Sequence, residues 1–384
     1  MAVLTRRRLL VGGSTVLLAI GSAGWWLLRQ PTAPTGFAYR DDELARAQAF
    51  LAAHPVIDAH AHPGRTFVRG AEHVRGMVRL YAWRGTFERR TLADMLAGGV
   101  DVAAFAAVAD FQTLALSDAT GLTSARAFEP GEAWASYRRQ IDNLNALVGS
   151  GWVQRIDRPA DIAAVRAQGQ IGALLTVEGG DFLEGKPERV GEAYADGVRS
   201  ITLMHYRHNE LGDIMTEAPR HGGLTRAGTA VVREMNRVGM IVDLAHASEA
   251  TAFGALAVST RPVMASHTHV HQHAAGAPPR FISQELATAT ASAGGGVIGA
   301  WPAGIGISDL NGFVDRTLEL IDRVGIDHVC LGTDMDANYK PVLDSYAKLP
   351  VYVAGLFQRG LAEDEVAKLV GGNFLRVFTA VQTR

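Results

Sequence analysis

Histidines and acidic residues recur in this chain at the points where short apolar segments end. A single residue of this kind is more often a satisfied loop or capping group, but a whole series is costly to bury unless its members share a ligand. Divalent cations supply such a ligand, so the series predicts a metal centre. Its members, each able to bind a metal ion or move a proton, are His60, His62, Asp110, Glu178, His205, His246, His267 and Asp334.

The spacing of the histidines suggests two ions rather than one. Residues two apart in a strand point to the same side, so His60 and His62 can reach a single ion. His246 and His267 end two other apolar segments and could hold a second ion, with Glu178 bridging the pair. Two ions about 3.5–4 Å apart form a common hydrolytic site. Zinc is the first choice for imidazole and carboxylate ligands, with manganese, cobalt or iron as alternatives.

The cysteine count and the charge balance exclude other kinds of site. Cys330 is the single cysteine in 384 residues, so neither an internal disulfide nor a thiolate zinc site can form. The 37 basic and 39 acidic side chains give a formal net charge of −2, and no dense Lys/Arg run follows the N-terminus. The chain therefore lacks the electrostatic signature of a nucleic-acid-binding protein.

The predicted centre needs a scaffold that brings the ends of several strands together. Short segments rich in Val, Ile and Leu alternate with amphipathic helical patterns, which indicates βα units and a parallel sheet. We predict one α/β domain at 41–384, a (β/α)8 barrel of the TIM type with its metal site at the C-terminal ends of the strands. The predicted strands are 56–62, 100–110, 171–178, 198–205, 239–246, 262–267, 295–301 and 327–334. The predicted helices are 41–53, 90–97, 132–147, 225–238, 248–258, 312–324 and 363–369.

The N-terminus carries a targeting pattern. Arg6, Arg7 and Arg8 precede an apolar stretch from Leu9 to Leu28, which resembles a twin-arginine export signal. About 20 apolar residues can also span a bilayer, so an uncleaved membrane anchor is the alternative. We predict residues 1–30 as a signal for the twin-arginine export machinery or an anchor, and 31–40 as a linker. Either alternative places the domain in the periplasm or on the outer face of the cytoplasmic membrane.

Several longer motifs resemble those of the membrane dipeptidase, or renal dipeptidase, family of binuclear zinc hydrolases in the amidohydrolase superfamily. The resemblance extends from about Val56 to Phe378. Its most specific stretches are VEGG at 177–180, LMH at 203–205, GLT at 223–225, EMNRVGMIVDLAHAS at 234–248, SH at 266–267, GTDMD at 332–336 and GGNFLRVF at 371–378.

The resemblance implies a role for each site residue and a substrate, a small dipeptide whose amide bond is hydrolysed by a hydroxide shared between two metals. Glu178 would bridge the metals, and Asp334 would handle the proton. The remaining implied roles are metal ligation by His60, His246 and His267, polarisation of the scissile carbonyl by His205, and binding of the substrate carboxylate by Arg280. Candidates for binding the α-amino group are Asp110, Asp181 and Asp336.

Two features depart from the family pattern. His62 stands where the family usually has an aspartate, which leaves the charge and identity of the metals open. The loop from His267 to Arg280 is longer than expected, and Phe281 replaces the asparagine that commonly follows the arginine. Three further histidines in that loop are assigned to a solvated segment rather than to the metal centre, and they are His269, His271 and His273.

Two alternatives to a dipeptidase follow from the same residues. With the same centre, the protein could hydrolyse another small amide, a lactone or a β-lactam, or carry out a maturation step of a secreted metabolite. A non-catalytic binding protein on the same fold is the second alternative, although Asp334, Glu178 and the expected histidines are all present. The sequence leaves stereochemical preference and oligomeric state open, and a homodimer is compatible with it.

Overall fold

A computed structural model describes residues 32–117, 121–271 and 280–383. The predicted targeting segment at 1–30 lies outside these ranges, and its role stays a prediction. No helix within the described ranges combines the length and the hydropathy that crossing a bilayer requires.

Within the described residues, eight parallel strands close into a barrel, which confirms the predicted fold. The strands of the molecule are β1 (Ile57–Ala61), β2 (Val102–Val108), β3 (Leu114–Ser117), β4 (Gly121–Ser124), β5 (Val153–Arg155), β6 (Ile171–Glu178), β7 (Val198–Thr202), β8 (Ile241–Asp243), β9 (Met264–Thr268), β10 (Val270–His271), β11 (Ile282–Ser283), β12 (Val297–Ala300) and β13 (Val329–Leu331). The barrel order is β2-β1-β13-β12-β9-β8-β7-β6, and the pairing of β2 with β6 closes the ring.

The barrel strands are apolar along their length because both of their faces are covered. Every residue of β2 and of β6 is buried, and the two strands pair in continuous register from Val102–Gly172 to Val108–Glu178. Gly299 lies on β12 and Gly332 directly follows β13, and at each of them a Cβ atom would collide with the carbonyl oxygen of Ser266. The absence of side chains at these two glycines lets three strands approach closely just below the site.

Helices cover the outside of the barrel and begin, where capped, with polar side chains. Thr225, Ser248, Ser283 and Asp309 each accept a hydrogen bond from the amide three residues further on, as N-cap residues do. The helices are Asp41–Ala53, Gly76–Trp83, Glu88–Gly98, Glu132–Gly149, Pro159–Ala167, Glu188–Ala195, Arg226–Val238, Glu249–Val258, Gln284–Ser292, Leu310–Val324, Leu349–Gln358, Glu363–Ala367 and Asn373–Gln382.

The two ends of the barrel differ in how they are closed. At the amino ends of the strands, Phe374 and Phe378 of the last helix pack in an apolar cluster with Ile57, Met264 and Cys330. The carboxyl ends instead carry longer connections, including the antiparallel hairpin of β3 and β4. The polar side chains of the predicted centre lie among these connections.

Candidate metal centre

The structure brings seven of the predicted side chains together at the carboxyl ends of the barrel strands. All are buried, with no more than 9% of each residue exposed. They form three overlapping groups whose ligand atoms lie within 4.8 Å of one another. The groups are His60, His62 and Asp334; His60, Glu178 and His267; and Glu178, His205 and His246.

The first pair of histidines comes from β1 and the residue after it. The Nε2 atoms of His60 and His62 are 3.2 Å apart. Each lies 3.4 Å from a different carboxylate oxygen of Glu178. On the side of the barrel where β13 ends, Asp334 Oδ1 is 3.4 Å from His62 Nε2. This arrangement agrees with the expected shared direction of the two rings.

In the second pair, His246 lies three residues after the end of β8, and His267 lies within the neighbouring strand β9. The Nε2 atoms of His246 and His267 are 3.0 Å apart, and they lie 3.0 and 3.5 Å from Oε1 of Glu178. Glu178, the last residue of β6, therefore stands between the two histidine pairs. This is the position that the sequence predicted for a bridging carboxylate.

The distances between ring nitrogens are compatible with shared ligation of an ion. Two nitrogen ligands about 2.0–2.1 Å from a tetrahedral ion are separated by about 3.3 Å, close to the separations within both pairs. Burial lowers the pKa of His246 and of His267 well below 6.5, aided by Arg280 and His60 respectively. Neutral imidazoles with free lone pairs are the form that binds metal. The donor set is thus consistent with a binuclear site for divalent cations.

Neighbouring groups oppose the effect of burial on the pKa values of two side chains in the centre. Burial would raise the pKa of Glu178, but the nearby imidazoles of His205 and His60 hold it well below 4.5. Burial would lower the pKa of His62, but hydrogen bonds and charge from Asp334 and Glu178 raise it to about 10. In the absence of a cation His62 therefore retains a proton, which a metal ion must displace.

Two residues of the centre hold a backbone conformation that side-chain-bearing residues rarely adopt. His246 has φ of 64° and Asp334 has φ of 53°, both in the left-handed region. Such a conformation costs about 1–3 kcal/mol per residue and persists when the surroundings enforce it. Its presence at two predicted site residues indicates that the positions of these side chains are enforced by the fold.

Arg280 also reaches the centre, although residues 272–279 before it lie outside the described ranges. Its Nη2 is 2.9 Å from His246 Nε2, and its Nη1 is 3.1 Å from Met215 Sδ. Its guanidinium carbon lies 5.2 Å from the centre of the Trp301 ring. The guanidinium is buried and its Nε has no hydrogen-bond partner among the described residues.

The candidates for binding an α-amino group are engaged elsewhere. Asp110 Oδ1 contacts His205 Nδ1 at 2.6 Å, Asp181 pairs with Arg207 at 2.9 Å, and Asp336 accepts the amide of Gly64 at 2.7 Å. All three carboxylates are therefore committed to donors of the protein. Asp110 acts instead on the orientation of His205.

The interpretation of His269 as a solvated residue is wrong. Its side chain is buried, its Nε2 lies 3.3 Å from Glu319, and its ring meets the edge of Phe281. The reason is the short pairing of β10 with β11, which holds this part of the loop against the barrel. His271 is half-buried, and His273 lies outside the described residues.

Sequence reasoning missed the residues around Arg280. Met215, which contacts Arg280, and Tyr206, whose ring packs against those of His205 and His246, belong to the long connection after β7, for which no periodic pattern exists. Trp301 follows β12 at the end of a predicted strand, the position at which other strands carry ligands. Its position at the end of a predicted strand was the sequence feature from which Trp301 could have been predicted to lie in the site.

Comparisons with known proteins support a common architecture and family. The family described as membrane dipeptidase (peptidase family M19) matches residues 44–384. Dipeptidase verJ of Clonostachys rogersoniana is 30% identical over 362 residues, covering 90% of this chain and 89% of that protein. Among solved structures, the probable dipeptidase PvdM from Pseudomonas aeruginosa superposes with a TM-score of 0.72 at 18% identity, covering 90% of this chain and 99% of the other. A metallo peptidase from Rhodobacter sphaeroides, liganded with a phosphinate mimic of the dipeptide L-Ala-D-Ala, gives a TM-score of 0.68 at 20% identity, covering 85% and 99%.

Proposed function

The chain belongs to the membrane dipeptidase family, peptidase family M19, and is a metal-dependent dipeptidase. On that basis we propose a role for each residue of the centre. His60 and His62 would hold one cation and His246 and His267 the other, with the carboxylate of Glu178 available to both. The nitrogen-rich donor set favours zinc. When bound, such a pair polarises the substrate carbonyl and makes water nucleophilic at neutral pH.

His205 stabilises the negative charge that develops on the carbonyl oxygen. Its Nδ1 is occupied by Asp110, so its Nε2 is the nitrogen that faces the centre, 3.3 Å from Glu178 Oε2. Burial lowers the pKa of His205, but the charges of Asp110 and Glu178 outweigh burial and raise it. The raised pKa favours the protonated ring, which can donate Nε2–H to an oxyanion.

Asp334 transfers the proton. It is the most exposed carboxylate of the centre, at 9%, and it lies beside His62. During attack, the carboxylate accepts the proton released from water. It then gives the proton to the amine nitrogen as the amide C–N bond breaks, which leaves the carboxylate ready for another cycle.

Arg280 binds the C-terminal carboxylate of the dipeptide, and this contact selects substrates that have a free carboxylate. No carboxylate among the described residues lies within ion-pair distance of its guanidinium, although the side chain is buried. A buried charge without a counter-ion is costly. A substrate anion placed beside the metal centre supplies the missing partner and fixes the scissile bond.

A substrate panel tests this function. We expect the full chain, loaded with zinc, to hydrolyse L-Ala-L-Ala or L-Ala-D-Ala faster than their C-terminal amides. Both stereoisomers belong in the panel because the solved relative from Rhodobacter sphaeroides holds a mimic of L-Ala-D-Ala. Faster turnover of a lactone, a β-lactam or the dipeptide amides would contradict the assignment and favour the alternative of a broader hydrolase.

We also propose that the domain works outside the cytoplasmic membrane. The support is the sequence of residues 1–30, in which three arginines precede an apolar stretch. Cell fractionation of the chain beside a variant with Arg6, Arg7 and Arg8 changed to lysine tests this location. Equal recovery of both proteins outside the membrane would contradict twin-arginine export.

A further inference from the structure

Two carboxylates that lie outside the predicted ligand set are buried beneath the metal centre. Asp58 lies within β1 and Asp243 ends β8, and neither is exposed to solvent. Each makes four hydrogen bonds to the protein. Burying a carboxylate is costly unless hydrogen bonds satisfy it. Closure of the barrel alone does not explain why a carboxylate stands at either position.

Asp58 connects β1 to the segment that carries Asp334. Its Oδ1 accepts the amides of His60 and Thr333, at 3.2 and 2.9 Å. Its Oδ2 accepts the hydroxyls of Thr333 and Tyr346, the latter at 2.7 Å. Asp58 thus binds the backbone amide of His60 and both the amide and the hydroxyl of Thr333, the residue before Asp334.

Asp243 repeats this pattern between β8 and β9. Its Oδ1 accepts the amides of Ala245 and Ser266, at 3.1 and 2.9 Å. Its Oδ2 accepts the hydroxyls of Ser266 and Thr202, at 2.6 and 2.7 Å. Ala245 and Ser266 immediately precede the two histidines of the second pair.

The repetition extends to the register of the strands. Asp58 is paired with Leu331, and Asp243 is paired with Met264. In both cases the carboxylate binds the amide two residues ahead on its own chain segment. It also binds the amide and hydroxyl of the residue two positions beyond its partner, which is Thr333 in one case and Ser266 in the other.

The hydroxyl groups determine what each carboxylate controls. A carboxylate can only accept, so the Ser266 hydroxyl donates its single proton to Asp243 and is left as an acceptor. Its oxygen lies 2.9 Å from His267 Nδ1, which must then be the protonated nitrogen. The lone pair of His267 is consequently on Nε2, the nitrogen that faces the centre.

Thr333 stands in the equivalent place next to Asp334. Its hydroxyl donates to Asp58 and accepts the amide of Met335 at 3.1 Å. These two hydrogen bonds hold Thr333 and Met335, the residues on either side of Asp334. They account for how the fold enforces the left-handed backbone of that residue.

We propose that Asp58 and Asp243 are matched positioning residues, one for each half of the centre. Asp243 acts through Ser266 to fix the tautomer of His267 as a metal ligand. Asp58 acts through Thr333 to hold Asp334 where it can exchange a proton. The inference rests on the ligands and proton carrier proposed above and adds how the fold positions them.

The first half of the test is zinc affinity, measured without substrate. Ser266→Ala removes the acceptor for His267 Nδ1 and should weaken one of the two zinc sites about 10- to 100-fold. Ser200→Ala is the matched control, because Ser200 is equally buried and donates only to the backbone carbonyl of Ile241. Competition of the metal-stripped full chain with a zinc chelator measures both. Unchanged affinity in Ser266→Ala would overturn the role of Asp243.

The second half separates kcat from KM. Thr333→Val keeps shape but loses the hydroxyl, so kcat should fall about 10- to 100-fold with KM and zinc content unchanged. Thr333→Ser restores the hydroxyl and should recover the rate. A parental kcat in Thr333→Val, or a failure of Thr333→Ser to recover it, would overturn the role of Asp58.

These variants also remain informative where Asp58→Asn or Asp243→Asn fails to fold, because they leave the carboxylates in place. A parent protein that binds no zinc would refute the proposed function itself. A parent with two zinc ions and unaffected variants would refute only this inference.

Discussion

Oδ1 of Asp110 lies 2.6 Å from Nδ1 of His205, and both side chains are buried beside the metal centre. Asp110 also accepts the amide of Tyr206 at 3.1 Å, so it is fixed relative to the chain segment that carries His205. The pair joins the end of β2 to the end of β7. It sets both the orientation and the charge of an imidazole that no strand holds directly.

Asp110→Asn should narrow the pH range of activity. Loss of the anion destabilises the imidazolium and lowers the pKa of His205, which Asp110 and Glu178 together raise against the effect of burial. The protonated form that donates to the oxyanion is then lost at lower pH. The alkaline limb of the kcat–pH profile should therefore move to lower pH.

Asp101→Asn is a suitable control because Asp101 lies at the other end of the barrel and pairs with Arg166. Its alkaline limb should match that of the parent. If the alkaline limb of Asp110→Asn also matches that of the parent, the ionisation of His205 does not determine that limb.

Asp334→Asn should keep the fold and the bound metal but lose most of the rate. An amide cannot accept a proton from water, and general acid–base groups contribute about 10²- to 10⁴-fold. Metal analysis and steady-state kinetics on the same preparation measure both properties. A metal-loaded variant within a few-fold of the parent would show that another group transfers the proton.

Arg280→Ala should affect substrates according to their charge. Free dipeptides lose their carboxylate partner, while C-terminal amides never had one, so kcat/KM should fall far more for the free dipeptides. Each dipeptide and its amide serve as an internal comparison. Equal losses on both would assign Arg280 to the packing of Met215 and Trp301 instead.

The ligands of the centre could be found in the sequence because each follows an apolar segment. β6 was predicted with the observed bounds, from Ile171 to Glu178, since a strand buried on both faces reads as a continuous apolar run. His60 and His62 were assigned a common direction from the period of a strand alone. In such cases a local pattern and the barrel topology lead to the same position.

Features that depend on contacts between distant segments could not be found in this way. Asp110 was expected near a substrate amine, because nothing in the sequence shows that the segment after β7 brings His205 to it. His269 was expected in solvent, since polar and small residues surround it. The helix Gln284–Ser292 was missed because its alternating Ala and Thr residues give little helical periodicity.

His62→Asp tests the departure from the family pattern. An oxygen ligand replaces nitrogen and adds a negative charge, so the protein should still bind two ions but discriminate less between zinc and manganese. Competition between the two metals, followed by metal analysis, measures this change. If metal content and preference are the same in His62→Asp and the parent, His62 is not a ligand.

The central claim, that two cations bridged by Glu178 support dipeptide hydrolysis, is tested most directly by titrating the metal-stripped protein with zinc. Hydrolysis of a free dipeptide should be absent at the start and should reach its maximum only after two equivalents have bound. Glu178→Gln, which removes the shared anion while keeping the side-chain shape, should fail to recover activity at any zinc concentration. Full activity in the stripped protein, or after a single equivalent, would contradict the account.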